Sequence, residues 1–420
     1  MPAEPATTDP ALAREVSALA AALSPLGRRA GDLYEQGDLG ALLGAAPSPR
    51  PALAAALAGL PEVDRRAALA AAPPGGLPEL RELWRAWQRR EVATAVPSTL
   101  PFVTAGLAHG LSLAADLFAG EGRALAVPEP FWGNYRQAFA VRHGARLLTA
   151  PAYDESGRFD PRVPASSLAP LPPGEPALAM LNLPSNPGGY SPTVAERQEI
   201  VASLIGEAAR RPLVAICDDA YAGLVYEPQV PRASLFWDLI GAHPNLVPIK
   251  VDGGTKEFSF FGGRVGFLTF GLDPDSSPAK ELERKLRALV CATLGSSPAT
   301  GQAVLLQALR NAGIEREVEA VRALLETRYR ALKPALAAAD PEVLKVLPFN
   351  AGCFALVEVP ESTGLSSNGV RRHLLEHQDT GTIAIAPRYL RIAHCSVDAA
   401  NLPELARRIE RGVAELVGRS

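Results

Sequence analysis

Apolar and polar positions along this chain follow two textures. Between about residue 100 and residue 270, short apolar runs alternate with longer stretches of helical period. Pro101–Thr104, Arg123–Val127, Ala145–Thr149, Ala177–Leu181, Leu213–Cys217, Leu246–Lys250 and Val265–Phe270 have strand length. Ala105–Phe118, Phe131–Arg142 and Val194–Arg210 repeat their apolar residues as helices do. The alternation predicts an α/β unit with a mainly parallel sheet and helices on both faces. In such sheets ligands sit beyond the carboxyl ends of the strands, where the polar clusters of this sequence fall.

The flanks read differently. Pro10–Leu23 predicts a helix, and Gly37–Pro51 predicts loop or extended chain. Ala52–Leu60 and Val63–Ala72 predict short helices broken by Pro61 and by the turn Pro73-Pro74-Gly75-Gly76. Leu77–Arg90 predicts a helix with Leu80, Leu83, Trp84 and Trp87 on one side. Glu281–Leu294 is helical, and Gly301–Leu332 holds one or two long helices. Phe349–Val359, Val370–Gln378, Tyr389–His394 and Leu402–Val417 mix strands with helices, as a smaller α+β lobe would.

Composition narrows the function classes. Of 420 residues, 47% are hydrophobic and 21% charged, which places the chain among folded rather than disordered sequences. The net charge is −3, so no electrostatic footprint points to nucleic acid or to an anionic membrane. Cys217, Cys291, Cys353 and Cys395 are too scattered for a zinc knuckle or a disulfide scaffold. No run reaches the roughly 18 apolar residues of a membrane span, and the first residues lack the basic start of a signal peptide. A cytoplasmic protein is expected.

The candidate chemistry lies in four loops that follow strands. Leu181-Asn182-Leu183-Pro184-Ser185-Asn186-Pro187-Gly188-Gly189 follows one, and an Asn-Pro-Gly alone can be nothing more than a turn. Next come Asp218-Asp219-Ala220-Tyr221, two acids at the end of a buried strand, which are costly there unless they bind something. Gly253-Gly254-Thr255-Lys256 follows, then Arg264 eight residues after Lys256. There is neither a Gly-x-Gly-x-x-Gly after the first strand nor a Walker A sequence.

This ordered set resembles the pyridoxal-phosphate (PLP) enzymes of fold type I, and the class I and II aminotransferases in particular. The resemblance runs from about residue 75 to the end. It implies a homodimer with residues 1–95 as an N-terminal arm and part of the small domain. Residues 96–300 would form the large PLP-binding α/β domain, 301–332 bridging helices, and 333–420 the C-terminal small domain.

It also implies roles. Lys256 would form the Schiff base with PLP and act as general acid/base, with Lys250 as competitor. Asp218 would face the pyridine nitrogen, with Asp219 as the alternative, while Asn186 and Tyr221 would hydrogen-bond the phenolic oxygen. Arg264 would clamp the phosphate together with the helix start Gly106, Leu107 and Ala108. Trp132 matches the aromatic that stacks on the ring. Arg391 would grip the substrate carboxylate, with Arg388 as fallback. Tyr34 would line the substrate side.

Three departures stand out. Gly253 occupies the position of a phosphate-binding serine three residues before the lysine, so either that hydroxyl contact is missing or Thr255 or another residue supplies it. Ala71 replaces a partner-donated tyrosine. Ala292 replaces the arginine that dicarboxylate enzymes use for the substrate side chain. The expected reaction is ping-pong transfer of an amino group from a neutral or aromatic amino acid to a 2-oxo acid. Other fold type I reactions on amino acids (β-elimination, decarboxylation, synthase chemistry) are the alternative, and a regulator retaining a PLP lobe is a remoter one. Residues 1–75 hold no lysine and no clear helix-turn-helix, which speaks against that regulator.

Overall fold

A computed structural model describes residues 68–93 and 95–418. The expectations for the helix at Pro10–Leu23, for the segment Gly37–Pro51 and for Tyr34 lie outside the described residues. So do Ala52–Leu60 and most of Val63–Ala72.

Seven strands form the main sheet: β1 (Phe102–Thr104), β2 (Ala124–Glu129), β3 (Arg146–Pro151), β4 (Ala177–Asn182), β5 (Leu213–Asp218), β6 (Leu246–Gly253) and β7 (Gly266–Phe270). Their order is β1-β7-β6-β5-β4-β2-β3. All pairings from β6 through β3 are parallel, whereas β7 runs antiparallel to both β6 and β1. The connection 254–265 holds only two short helical turns, Gly254–Glu257 and Phe261–Gly263, and no helix long enough to cross the sheet, so β7 returns antiparallel to β6.

Both faces are covered. Helices α1 (Pro78–Arg89), α2 (Leu107–Phe118) and α3 (Val194–Ala208) lie where the periodicity predicts them. Leu111 and Leu113 of α2 pack with Leu125, Leu178 and Ile249 on one face. Ile200 and Leu204 of α3 pack with Ala179, Ala215 and Cys217 on the other. Each such buried aliphatic side chain contributes about 1.5–3 kcal/mol. Helix α3 starts where it does because Thr193 and Glu196 cap each other reciprocally. The stretch Phe131–Arg142 differs from expectation: Phe131 and Trp132 stay outside the helix, whose centre, Arg136–Val141, is a π-helical turn.

Beyond the sheet come α4 (Ser277–Thr293), α5 (Ala299–Leu309) and α6 (Ile314–Ala337). The long helical stretch is thus two helices, broken around Gly313. A second, antiparallel sheet has the order β10-β11-β9-β8, from β8 (Lys345–Val346), β9 (Ala355–Glu358), β10 (Ile383–Ile385) and β11 (Tyr389–Ile392). Helices α7 (Ser367–His377), α8 (Leu402–Leu416) and α6 cover it, with Leu325, Leu374 and Ile409 in its core. The architecture is the fold type I arrangement: a large α/β sheet plus a smaller α+β unit. No helix among the described residues is long and apolar enough to cross a membrane.

Candidate active site

The C-terminal ends of β4, β5 and β6 meet at one edge of the main sheet, and parallel register sets side chains from each beside the next. Asn182 pairs with Asp218 across β4 and β5, and Asp218 with Val251 across β5 and β6. The Asn182 amide donates to the Asp218 backbone carbonyl at 3.0 Å and accepts from the Asn186 N–H at 2.6 Å. One strand-end asparagine therefore fixes the loop that carries Asn186.

Adjacent acids have opposite fates. Asp219 accepts hydrogen bonds from Lys250 Nζ and Ser234 Oγ, both at 2.6 Å. Lys250 also pairs with Asp252 at 3.0 Å, and all three charged groups are buried. Asp252 accepts further bonds from Trp84 and Gln88 of α1, each at 3.1 Å. Asp218, equally buried, has no cation against it among the described residues. It accepts from Tyr135 Oη at 2.5 Å and from the Ala220 N–H at 3.2 Å. Burial pushes its carboxyl up to about 6.

The two lysines divide in the same way. Lys250 is consumed by its two carboxylates. Lys256 is half-buried on the helical turn Gly254–Glu257, its Nζ 5.7 Å from the Tyr221 ring centre and 4.5 Å from that of Phe261. Burial lowers its pKa, and the nearby charges of Arg391 and Arg264 push in the same direction. An amine held in this way is more readily neutral and nucleophilic than a surface lysine. Helix α1 holds this turn from both sides: Trp84 and Gln88 bind Asp252, and the Trp87 indole donates to Glu257 at 3.1 Å.

An anion cradle lies opposite. Helix α2 has no side-chain cap, so the N–H groups of its first turn are open. Gly106 precedes it at φ +89°, and a Cβ there would stand 2.5 Å from the Arg264 guanidinium. Leu107 is buried and Ala108 exposed at the same helix start. His109 accepts the Ala105 N–H at 3.0 Å and so shapes the turn. The hydroxyls of Thr255 and Ser259 are buried with no partner among the described residues. Gly253 has a steric reason: a Cβ there would meet the Val265 carbonyl oxygen at 2.6 Å and Gly266 Cα at 2.8 Å. A serine does not fit between β6 and β7 here. The bare helix start, the arginine and the two orphaned hydroxyls suit a phosphate group, and the buried carboxylate suits a protonated ring nitrogen.

Arg391 projects from β11 and donates to Asn186 Oδ1 at 2.9 Å, with its guanidinium 4.2 Å from the Phe354 ring centre. It has no carboxylate partner among the described residues, and its Nε is buried without one. Arg388, in contrast, is paired with Glu358 at 3.2 Å and with Glu361. Trp132 is half-buried and meets Tyr135 edge-on, ring centres 5.7 Å apart. Beside Asn186 opens a cavity lined by Phe131, Tyr135, Tyr153, Phe159, Tyr190 and aliphatic side chains, with Asn182, Ser185 and Asn186 as its polar groups and no lysine or arginine in its wall among the described residues. Lys256 is not among its lining residues. Ala292 is exposed on α4, and Ala71 is exposed ahead of α1.

The structure thus brings together Gly106, Leu107, Trp132, Asn186, Asp218, Tyr221, Lys256, Arg264 and Arg391. Sequence reasoning missed Asn182, Tyr135 and the α1 clamp of Trp84, Trp87 and Gln88. Asn182 carried a signal, a polar residue at the end of an apolar strand. Tyr135 lies 83 residues from Asp218 and carried none.

Comparison with known proteins gives the family and the fold. The family model described as aminotransferase class I and II matches residues 40–409. A curated relative, the 2-aminoadipate transaminase of Thermus thermophilus, is 26% identical over 329 residues and is matched over 75% of each chain. The solved alpha-aminoadipate aminotransferase of Thermus thermophilus superposes with a TM-score of 0.73 at 24% identity, over 93% of this chain and 98% of that one. An aromatic aminotransferase from Pyrococcus horikoshii superposes with a TM-score of 0.72 at 20% identity, over 93% and 99%. The two superpositions are likenesses of fold, and the family match is one of sequence that reaches into α8. On that joint ground the chain belongs to the class I and II aminotransferases, PLP-dependent enzymes of fold type I.

Proposed function

We propose that this enzyme moves an amino group from a neutral or aromatic amino acid to a 2-oxo acid. The observation that carries the substrate class is the cavity beside Asn186, mainly aromatic and aliphatic, with no cation in its wall among the described residues. A substrate side-chain carboxylate placed there would be desolvated with no charged partner among the described residues, at a cost of several kcal/mol. Ala292 in place of the dicarboxylate arginine points the same way. The curated relatives are named for 2-aminoadipate or aspartate, two of them also for prephenate, so the proposed class rests on the cavity and on Ala292 and not on those names.

In this reading Lys256 holds the cofactor through Nζ and carries the proton at the substrate Cα. Asp218 holds the proton on the ring nitrogen, kept in place by Tyr135 and the Ala220 N–H. Asn186 and Tyr221 orient the ring hydroxyl, and Trp132 covers one ring face. Arg264, the N–H groups of Leu107 and Ala108, and the hydroxyls of Thr255 and Ser259 hold the phosphate. The bound cofactor supplies an electron sink for the bond broken at Cα. Arg391 fixes the substrate carboxylate.

The working enzyme is a cytoplasmic homodimer, with residues 96–300 as the cofactor domain and 333–420 as the small one. Sedimentation of the loaded enzyme checks the dimer. A panel of amino donors against 2-oxoglutarate and pyruvate tests the substrate class. A higher kcat/KM for leucine, phenylalanine or tyrosine than for aspartate is expected. Aspartate as the best donor refutes the substrate class. Absence of transfer with every donor turns the reading toward elimination or decarboxylation.

A further inference from the structure

Two of the four cysteines, 42 residues apart in sequence, meet behind Arg391. Cys353 lies just before β9 and Cys395 just after β11, and these strands pair antiparallel with Ala355 opposite Ile392. The Cys395 N–H donates to the Cys353 carbonyl at 3.4 Å, so the two residues are backbone neighbours. The two thiols are close enough for each to shift the other's acidity, and Cys395 Sγ lies 3.6 Å from Ser396 Oγ. Both are more than nine-tenths buried, in the core beneath the second sheet. Lys256 and Arg391 are close enough for their positive charges to act on both sulfurs. No step of the proposed reaction uses either thiol.

We propose that Cys353 and Cys395 are a modification site, a thiol pair that closes reversibly to a disulfide under a small hydroperoxide. The backbone hydrogen bond between the two residues, at the end where β9 and β11 pair, brings them within the short reach that a disulfide requires. The neighbouring Cys353 thiol lowers the Cys395 thiol against the burial that raises it, and the Ser396 hydroxyl beside its sulfur lowers it further, while Cys353 is pushed up. Cys395 is therefore the nucleophile and Cys353 the resolving thiol. The Cys395 thiolate attacks one peroxide oxygen and breaks the O–O bond. It becomes a sulfenic acid, and the leaving oxygen departs as alcohol or water once protonated. Cys353 sulfur then attacks the Cys395 sulfur, forms the S–S bond and expels water. In sum, two thiols and ROOH give a disulfide, ROH and H₂O. The hydroperoxide accepts two electrons, and an added dithiol returns them.

The bond would tie the loop bearing Phe354 to the end of the strand bearing Arg391, and the Phe354 ring already lies against that guanidinium. The linked form is expected to show a KM for amino donors raised several-fold, restored by dithiothreitol. This last effect rests on the proposed role of Arg391, whereas the bond itself is read by mass.

The test treats the PLP-loaded protein with stoichiometric hydrogen peroxide, blocks free thiols with iodoacetamide under denaturing conditions, and maps peptides. Expected are the joint loss of alkylation at Cys353 and Cys395 and one linked peptide pair, 2 Da lighter than the sum of its two thiol peptides. Cys395→Ser should leave Cys353 fully alkylated. Full alkylation of both cysteines in a sample where exposed Cys291 has been oxidised would overturn the proposal, and so would linkage of either one to Cys217 or Cys291. The wild-type map decides even where the serine variant folds poorly.

Discussion

Three pairs of like-charged residues, each close in sequence, separate into two physical classes. Lys250, Asp219 and Arg388 sit in ion pairs with the neighbours that the fold puts beside them. Lys256, Asp218 and Arg391 are buried or half-buried with no oppositely charged side chain against them among the described residues. The first class is neutralised inside the protein and acts on stability. The second has been desolvated and left for a ligand to complete, as perturbed groups at functional sites are. Residue type and local spacing do not distinguish the members of a pair. Their partners do.

The largest expected effect breaks the lysine pair apart. Lys256→Ala should lower kcat on the order of 10⁴-fold or more while leaving the urea midpoint nearly unchanged. Lys250→Met should do the reverse. It strands Asp219 and Asp252 without a cation and costs about 3–5 kcal/mol of folding stability. Borohydride reduction of the loaded enzyme should fix the cofactor on the peptide containing Lys256. Fixation on the peptide containing Lys250 would collapse the distinction.

The aspartates should split next. Asp218→Asn is expected to lose at least on the order of 10²-fold in kcat/KM and to bind PLP more weakly. Asp219→Asn should cost mainly stability, read by urea unfolding. Equal kinetic losses in the two variants would mean that both carboxylates serve the cofactor.

A third effect sharpens the contrast without kinetics. In the cofactor-free protein Asp218 titrates at about 6, above the ordinary value of 3.8. Between those values the folded state carries the proton and the unfolded state has lost it. The contribution of Asp218 to stability is thus present below pH 4 and is lost as pH rises to about 6. The loss is on the order of 3 kcal/mol. Urea unfolding of the cofactor-free protein at pH 4.5 and 7, compared with Asp218→Asn, isolates it from the carboxylates whose pKa values are lowered. A pH dependence identical in the variant would contradict it.

The smallest effect concerns Tyr135. Tyr135→Phe removes one hydrogen bond to the buried carboxylate, about 1.5 kcal/mol, and should reduce kcat/KM about tenfold. It should also raise the Asp218 pKa further, visible as an upward shift of the acid limb for PLP binding. A change in KM alone, with no shift of that limb, would make Tyr135 a packing residue only.

Much of this site was legible because its parts are local. The Asp218-x-x-Tyr221 spacing, the turn before Lys256 and the eight-residue interval to Arg264 span one strand end or one short hairpin, and the backbone carries such spacings into space directly. The helix start at Gly106 was legible for the same reason. What escaped was lateral. Tyr135 reaches Asp218 from the far side of β2 and β4, and Trp84, Trp87 and Gln88 reach the lysine turn from a helix more than 160 residues away. Gly253 showed as a departure in the sequence, but its reason, the closeness of Val265 and Gly266 on the next strand, is tertiary.

Hydrophobic periodicity and short-range spacing, which the sequence determines by itself, specified an α/β sheet with its polar groups at the strand ends, including the order of asparagine, aspartate, lysine and arginine along the chain. Strand order and register decided which of two aspartates and which of two lysines would be neutralised. A charge buried beside an opposite charge is satisfied, and a charge buried beside a tyrosine or an aromatic ring is not. That difference arises only when β5, β6, α1 and the loop after β2 are brought side by side.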